Sequence, residues 1–153
     1  MIDVGAKPKT ERVAVARGRI SMSAATVARV RRGEVEKGDV IAAARLAGVM
    51  AAKKTPDLVP LCHPIALTGV EVEATPGRGG IEIVATVRTL DRTGVEMEAL
   101  AAVSAGLLTV YDMLKRHERG MTIERIELLE KAGGRTGHWL RGAPARAKAR
   151  ARG

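Results

Sequence analysis

The chain has no phenylalanine, one tyrosine (Tyr111) and one tryptophan (Trp139) among its 153 residues. Any core it builds must therefore be aliphatic, drawn from valine, isoleucine, leucine, methionine and alanine. Few aromatics also argue against gripping single-stranded nucleic acid, where bases stack on aromatic side chains. Cysteine is almost absent too. Cys62 alone cannot close an internal disulfide, and no paired Cys/His spacing for a metal occurs, so a reducing compartment is expected. The start, Met1-Ile2-Asp3-Val4, lacks the charged residues and apolar run of a signal peptide. The longest mostly apolar stretch, Ala99 to Val110, falls short of the roughly 20 residues that span a bilayer. These absences point to a soluble, cytoplasmic protein.

Charge of one sign is plentiful. The formal net charge is +9, against an otherwise ordinary globular balance of 46% hydrophobic and 28% charged residues. Much of the excess lies at the end. Residues 141–153 hold Arg141, Arg146, Lys148, Arg150 and Arg152 and no acid, which leaves +4 for residues 1–140. The chain thus divides into one domain over 1–140 and a basic tail over 141–153, read as a disordered, solubilising extension.

Periodicity gives an order of elements. Residues 13–22 alternate partly and read as a strand. Ser23 is placed to cap a helix reaching about Arg32, and Asp39 to cap a second, from Val40 to about Lys53, with Val40, Ala43, Ala44, Ala47 and Met50 at helical spacing and Pro56 helping to end it. Residues 68–74 and 80–90 alternate with period two around a Pro/Gly-rich hairpin turn. Thr93 with Glu96 resembles a capping box opening a helix from Gly94 to about Glu118, with Gly120 as a stop. Residues 122–130 read as a last strand and 133–137 as a loop. The resulting β-α-α-β-β-α-β order predicts an α+β fold: a ferredoxin-like βαββαβ sheet with helices on one face, plus an extra helix.

Several residues could carry chemistry. His63 lies between Pro60 and Pro64, which stiffen the backbone around an imidazole that titrates near working pH. A histidine in an apolar stretch is more often a packing residue, and the prolines favour the other reading. Glu96 and Glu98 sit in the first turn of the long helix, where they complement its dipole. Asp112 and Lys115 are i, i+3 neighbours near its other end. Spacing alone leaves them equally a surface pair or a proton carrier with a cation tuning it. Glu98 and Asp112 are fourteen residues apart, or about 21 Å along one helix. If both serve one site, the ligand is long or two chains share it. Lys7, Arg12, Lys37, Lys53, Lys54, Lys131 and Arg135 are loop cations, each a solvated charge by default. Lys37 precedes a helix start, where free N–H groups attract anions. The residues by themselves reach an anion-binding site with a histidine and carboxylates.

Five motifs then occur in order: Lys37-Gly-Asp-Val40 with Ala44-Arg-Leu-Ala-Gly48, Leu58 to Pro64, Thr93 to Leu100, Tyr111-Asp-Met113, and Lys131 to Gly137. Together they resemble the MoaC family, the cyclic pyranopterin monophosphate synthases, over roughly residues 2–138. The resemblance implies a phosphorus-oxygen lyase of molybdenum cofactor biosynthesis. It would convert a cyclised dihydro-GTP to cyclic pyranopterin monophosphate and release pyrophosphate. Carried over by motif, Asp112 is the acid/base, Lys37 and Lys115 are catalytic lysines, and His63 belongs with Leu61 and Cys62 to a substrate-binding segment. Met97 and Glu98, with Glu96, match further substrate contacts, and Lys7 and Arg12 resemble residues holding the triphosphate. No resident metal and no obligatory cofactor are implied, with Mg²⁺ compatible with the triphosphate or pyrophosphate. The family's assembly implies a hexamer, a trimer of dimers, with interfacial sites. This chain departs from the pattern at Gly5, where serine often precedes Ala-Lys, in the ending Arg135-Thr-Gly-His-Trp139, and in its basic tail.

The alternative from another class is a noncatalytic nucleotide or nucleic-acid-binding module using the basic tail. It predicts stacking aromatics or a basic recognition helix, and neither is evident. A noncatalytic relative would be expected to lack Lys37, His63, Asp112 or Lys115, and all four are present.

Overall fold

The computed structural model describes residues 1–135 and 137–143. The tail inferred from sequence therefore lies, from Pro144 onward, outside the described residues.

The first strand, β1 (Thr10–Ser21), sends Ala14, Ala16, Gly18 and Ile20 inward. Helix α1 (Ala24–Arg31) follows at once because Ser23 caps it: its Oγ accepts from the Thr26 amide at 3.2 Å. Asp39 does the same for α2 (Val40–Lys53), accepting from the amides of Ile41 and Ala42. A four-residue helix that the pattern did not announce, α3 (Thr55–Leu58), begins there instead, and Pro56 occupies its first turn. Proline suits that position because its missing N–H has no partner there anyway. Strands β2 (Leu67–Gly77) and β3 (Gly80–Asp91) form the expected hairpin, closed by Arg78 and by Gly79 at φ +71°. The core helix α4 (Glu96–Leu114) and strand β4 (Thr122–Ala132) come next. The two-residue strand β5 (Trp139–Leu140), also unannounced, pairs with Glu130 and Lys131 of β4.

All pairings are antiparallel, in the order β2-β3-β1-β4-β5. The first four strands have the ferredoxin-like arrangement, with α2 and α4 packed together on one face. Two register shifts, at Val15/Ala16 and Arg19/Ile20, break the alternation of β4 against β1. They explain why β4 lacks the clean in–out pattern of β3.

Two expectations need correction. The helical spacing through Val40, Ala43, Ala44, Ala47 and Met50 does not all turn inward: Met50 is half exposed, and the buried face is Val40, Ala44, Gly48 and Ala51. The reason is steric: a Cβ on Gly48 would lie 3.0 Å from the Ala102 carbonyl oxygen, so α2 and α4 approach along their smallest residues. The capping box at Thr93 does not form either. α4 starts at Glu96, behind Val95, with no side-chain cap, and ends at Leu114 rather than near Glu118. Beyond it, the Glu118 carboxylate turns away from the helix to accept from Ser23 and Thr26.

By length and composition α4 could cross a membrane. Here it is a core helix, with Ala99, Ala102, Val103, Leu107, Val110 and Leu114 fully buried. Burying a leucine or valine of this kind contributes about 1.5–3 kcal/mol. The helix thereby becomes the rigid beam on which both ends of the candidate site are mounted.

Candidate functional site

At the C-terminal end of α4, Asp112 is gripped by two lysines. Lys37 Nζ donates to Asp112 Oδ2 at 2.5 Å and to its backbone carbonyl at 3.0 Å, from the turn between α1 and α2. Lys115 Nζ lies 2.7 Å from Oδ1, one turn on. An aspartate near a helix C-terminus opposes the dipole, and the two ammonium groups offset that. Hydrogen bonds from Lys115, then Lys37, hold the Asp112 carboxyl down at about 2. A carboxyl lowered on folding contributes stability above its unfolded range and loses it as pH falls through the folded value. The triple should therefore persist to below pH 4 and open only toward about pH 2. A carboxyl-carbon NMR titration checks this, and Lys115→Ala should move the midpoint upward. A midpoint in the ordinary aspartate range in the wild type would show that the lysines do not grip the carboxylate in solution.

The other end of α4 gathers a second set. Glu98 is 2% exposed, and its Oε1 lies 3.4 Å from Cys62 Sγ. Its Oε2 is buried without a hydrogen-bond partner among the described residues. Burial first, then the Glu98 charge, pushes the Cys62 thiol up to about 11, and burial raises Glu98 as well. Leu61 (71% exposed) and Met97 (39% exposed) lie open around this pair. The half-buried His63 follows Cys62 directly. Glu96 pairs with Lys131 of β4 at 2.9 Å. Sequence reading took Glu96 for a cap and Lys131 for a solvated loop cation. The β1–β4 register, with Ala14 opposite Lys131 and Val13 opposite Ala132, brings them together.

The same register lays Arg12 against the Gly133–Gly134 turn. Both glycines have positive φ, and a Cβ on Gly134 would collide with the Arg12 guanidinium. Arg12 also donates to the Arg92 carbonyl at 3.3 Å, while its Nε is buried and unpartnered. Lys7 is half-buried in the N-terminal segment, and its backbone N–H donates to the Val4 carbonyl. Thus Lys37, Asp112 and Lys115 form one group, and Cys62, Glu98, Glu96 and Lys131 gather at the opposite end with Arg12. Fourteen residues of straight helix hold Glu98 and Asp112 about 21 Å apart.

One contact was invisible to pattern reading. Glu36, beside Lys37, faces His117 Nε2 at 3.7 Å and Arg116 at 4.0 Å. Its only sequence signal is an acid next to a candidate lysine.

Known proteins extend this picture. The chain resembles the cyclic pyranopterin monophosphate synthase of Thermomicrobium roseum, 59% identical over 143 residues that cover 92% of this chain and 86% of that protein. It is 56% identical to the synthase of Novosphingobium aromaticivorans, over 91% of this chain and 88% of that protein. The corresponding protein of Heliobacterium modesticaldum is 53% identical, with 92% and 90% covered. Residues 1–134, which include every side chain of the two clusters, match a single family. On that match and these relatives, the chain belongs to the MoaC family.

Proposed function

We propose that this chain converts 3′,8-cyclo-7,8-dihydroguanosine 5′-triphosphate to cyclic pyranopterin monophosphate, releasing pyrophosphate, as a lyase of cytoplasmic molybdenum cofactor biosynthesis. The observation that carries this reading beyond the names of its relatives is the Lys37–Asp112–Lys115 triple. The reaction opens and rebuilds a ring and closes a cyclic phosphate, so it needs repeated proton transfers and neutralisation of a leaving pyrophosphate. In the resting protein Asp112 is a carboxylate and a weak base, and the lysines hold the protons. An anionic substrate that draws one lysine to its phosphates strips a hydrogen bond from Asp112 and strengthens it as a base. Lysine suits this exchange because its ammonium group is a mobile point charge. His63, Leu61, Cys62, Met97, Glu96 and Glu98 would receive the ring portion, and Lys7 and Arg12 the phosphates. No cofactor is required on this reading, and any Mg²⁺ would travel with the phosphates.

The separation of the two clusters supports sites shared between chains, and the family resemblance extends that reading to a hexamer, a trimer of dimers. Between its ends α4 presents Ala101, Ser104, Ala105 and the exposed Leu108. Two copies packed antiparallel about Ala105 would set Asp112 level with the partner chain's residue at the Glu98 position, each about 10 Å from the axis.

The direct test is turnover: the purified protein and the cyclised dihydro-GTP should yield pyrophosphate and pterin in equal amounts. A folded protein that yields neither would overturn the reading. Sharing is tested by reassembling His63→Ala with Asp112→Ala, each inactive alone. Recovery of about a quarter of the activity is expected for sites built from two chains, and no recovery would place each site within one chain.

A further inference from the structure

Lys37 reaches Asp112 from an arm of the chain, α1 and the turn 33–38, that has little core of its own. Within α1 only Thr26 and Val27 are buried, and within the turn only Val35. The turn begins and ends in glycines with positive φ, Gly33 at +68° and Gly38 at +99°, which leave its ends free to pivot. Two residues just past α4 tie this arm down. The amides of His117 and Glu118 both donate to the Leu114 carbonyl, at 2.8 and 3.1 Å, so the segment is an extension of the helix end that carries Asp112. At the start of the arm the Glu118 carboxylate accepts from the Ser23 amide at 3.0 Å, from Ser23 Oγ at 2.8 Å and from Thr26 Oγ1 at 2.6 Å. The Thr26 hydrogen bond first, then those from Ser23, hold the Glu118 carboxyl below the usual glutamate range, so it is charged at neutral pH. At the far end of the arm His117 Nε2, buried and without a hydrogen bond among the described residues, faces Glu36 Oε2 at 3.7 Å, with Arg116 at 4.0 Å from the same oxygen. Glu36 is the residue before Lys37.

We propose that Glu118 and His117 are positioning residues: they dock the α1 arm on the end of α4 and so set Lys37 against Asp112. The inference rests on the reaction proposed above and supplies what that exchange of partners needs. When substrate phosphates draw Lys37 off Asp112, the direct tie between the turn and α4 is broken. Glu118 at one end of the arm and the Glu36–His117 pair at the other still hold it, so Lys37 stays within reach of both the phosphates and the carboxylate. Glu118 carries the larger share, because its hydrogen bonds are charge-assisted and short. The Glu36–His117 contact is longer and half open to solvent, so it adds less.

The Asp112 carboxyl reports on Lys37 without any substrate. Glu118→Ala should raise its NMR titration midpoint above the wild-type value of about 2 and lower kcat by up to about 10²-fold, the cost of a catalytic group misplaced by an ångström. Glu118→Gln, whose amide oxygen still accepts from Ser23 and Thr26, should stay close to the wild type in both. Thr26→Val removes one donor and keeps the shape, so it should move both readouts the same way by less. In a Lys37→Ala background Glu118→Ala should shift neither any further, since the residue it places is gone. An unmoved midpoint in folded Glu118→Ala, or in Thr26→Val should the alanine variant not fold, overturns the proposal. So does a lower kcat with the midpoint unmoved, or a further shift in the Lys37→Ala background. If the wild type itself fails to turn over the cyclised dihydro-GTP, the reaction assignment fails, while the Asp112 midpoint still reports whether Glu118 places Lys37.

Discussion

Asp112→Ala should lower kcat for pterin formation by about 10²–10⁴-fold while leaving the protein folded. The side chain is 54% exposed, and among the described residues its carboxylate bonds only to Lys37 and Lys115. Exposed ion pairs contribute about 0–1 kcal/mol to stability, so the thermal midpoint should barely move. Removing the carboxylate leaves two ammonium groups facing each other with no base between them, and that is the expected source of the lost rate. Asp112→Asn distinguishes charge from shape, because the amide keeps the acceptor oxygen but cannot take a proton. If the alanine variant turns over normally, the proton chemistry belongs elsewhere, with Glu98 and His63 the next residues to test.

Leu107→Ala should have the largest effect on stability, a loss of about 2–5 kcal/mol. Leu107 is fully buried at the point where α4 crosses β1. A Cβ on Gly18 would lie 2.6 Å from Val103 Cγ1 and 2.7 Å from Leu107 Cδ1, so strand and helix already touch there. Urea unfolding should show a lower midpoint at unchanged slope. A loss under about 1 kcal/mol would mean that the helix and sheet close over the gap, contrary to a rigid crossing.

The two variants also separate what the site inherits from the fold. Asp112 acts through contacts at the surface end of α4. Leu107 fixes where both ends of that helix stand, so its loss should lower activity only as far as it unfolds the protein.

Much of this was legible in the chain itself. Ser23 and Asp39 announced two helix starts because a cap is a bond between a side chain and amides two or three residues on. The β2–β3 hairpin showed through because Gly79 must take a positive φ that other residues avoid. Period-two alternation marked β2 and β3 as strands, and the five motifs carried the family. Each of these signals acts over a few residues or is a pattern in the sequence, so no partner from afar is needed to read it.

Tertiary structure decided the rest. Glu96 looked like a cap until the β1–β4 register brought Lys131 against it. Lys37 and Asp112 lie 75 positions apart. Their contact depends on α2 and α4 packing through Gly48 and on where the turn before α2 then falls. Glu98 reads as an ordinary first-turn acid. Its burial follows from the segment after α3 folding back over α4, which places Cys62 at its carboxyl. Local bonds and backbone sterics set where elements begin and turn. Which charges meet, and which are left without a partner, is set by strand register and helix packing, and these exist only once the aliphatic core has closed.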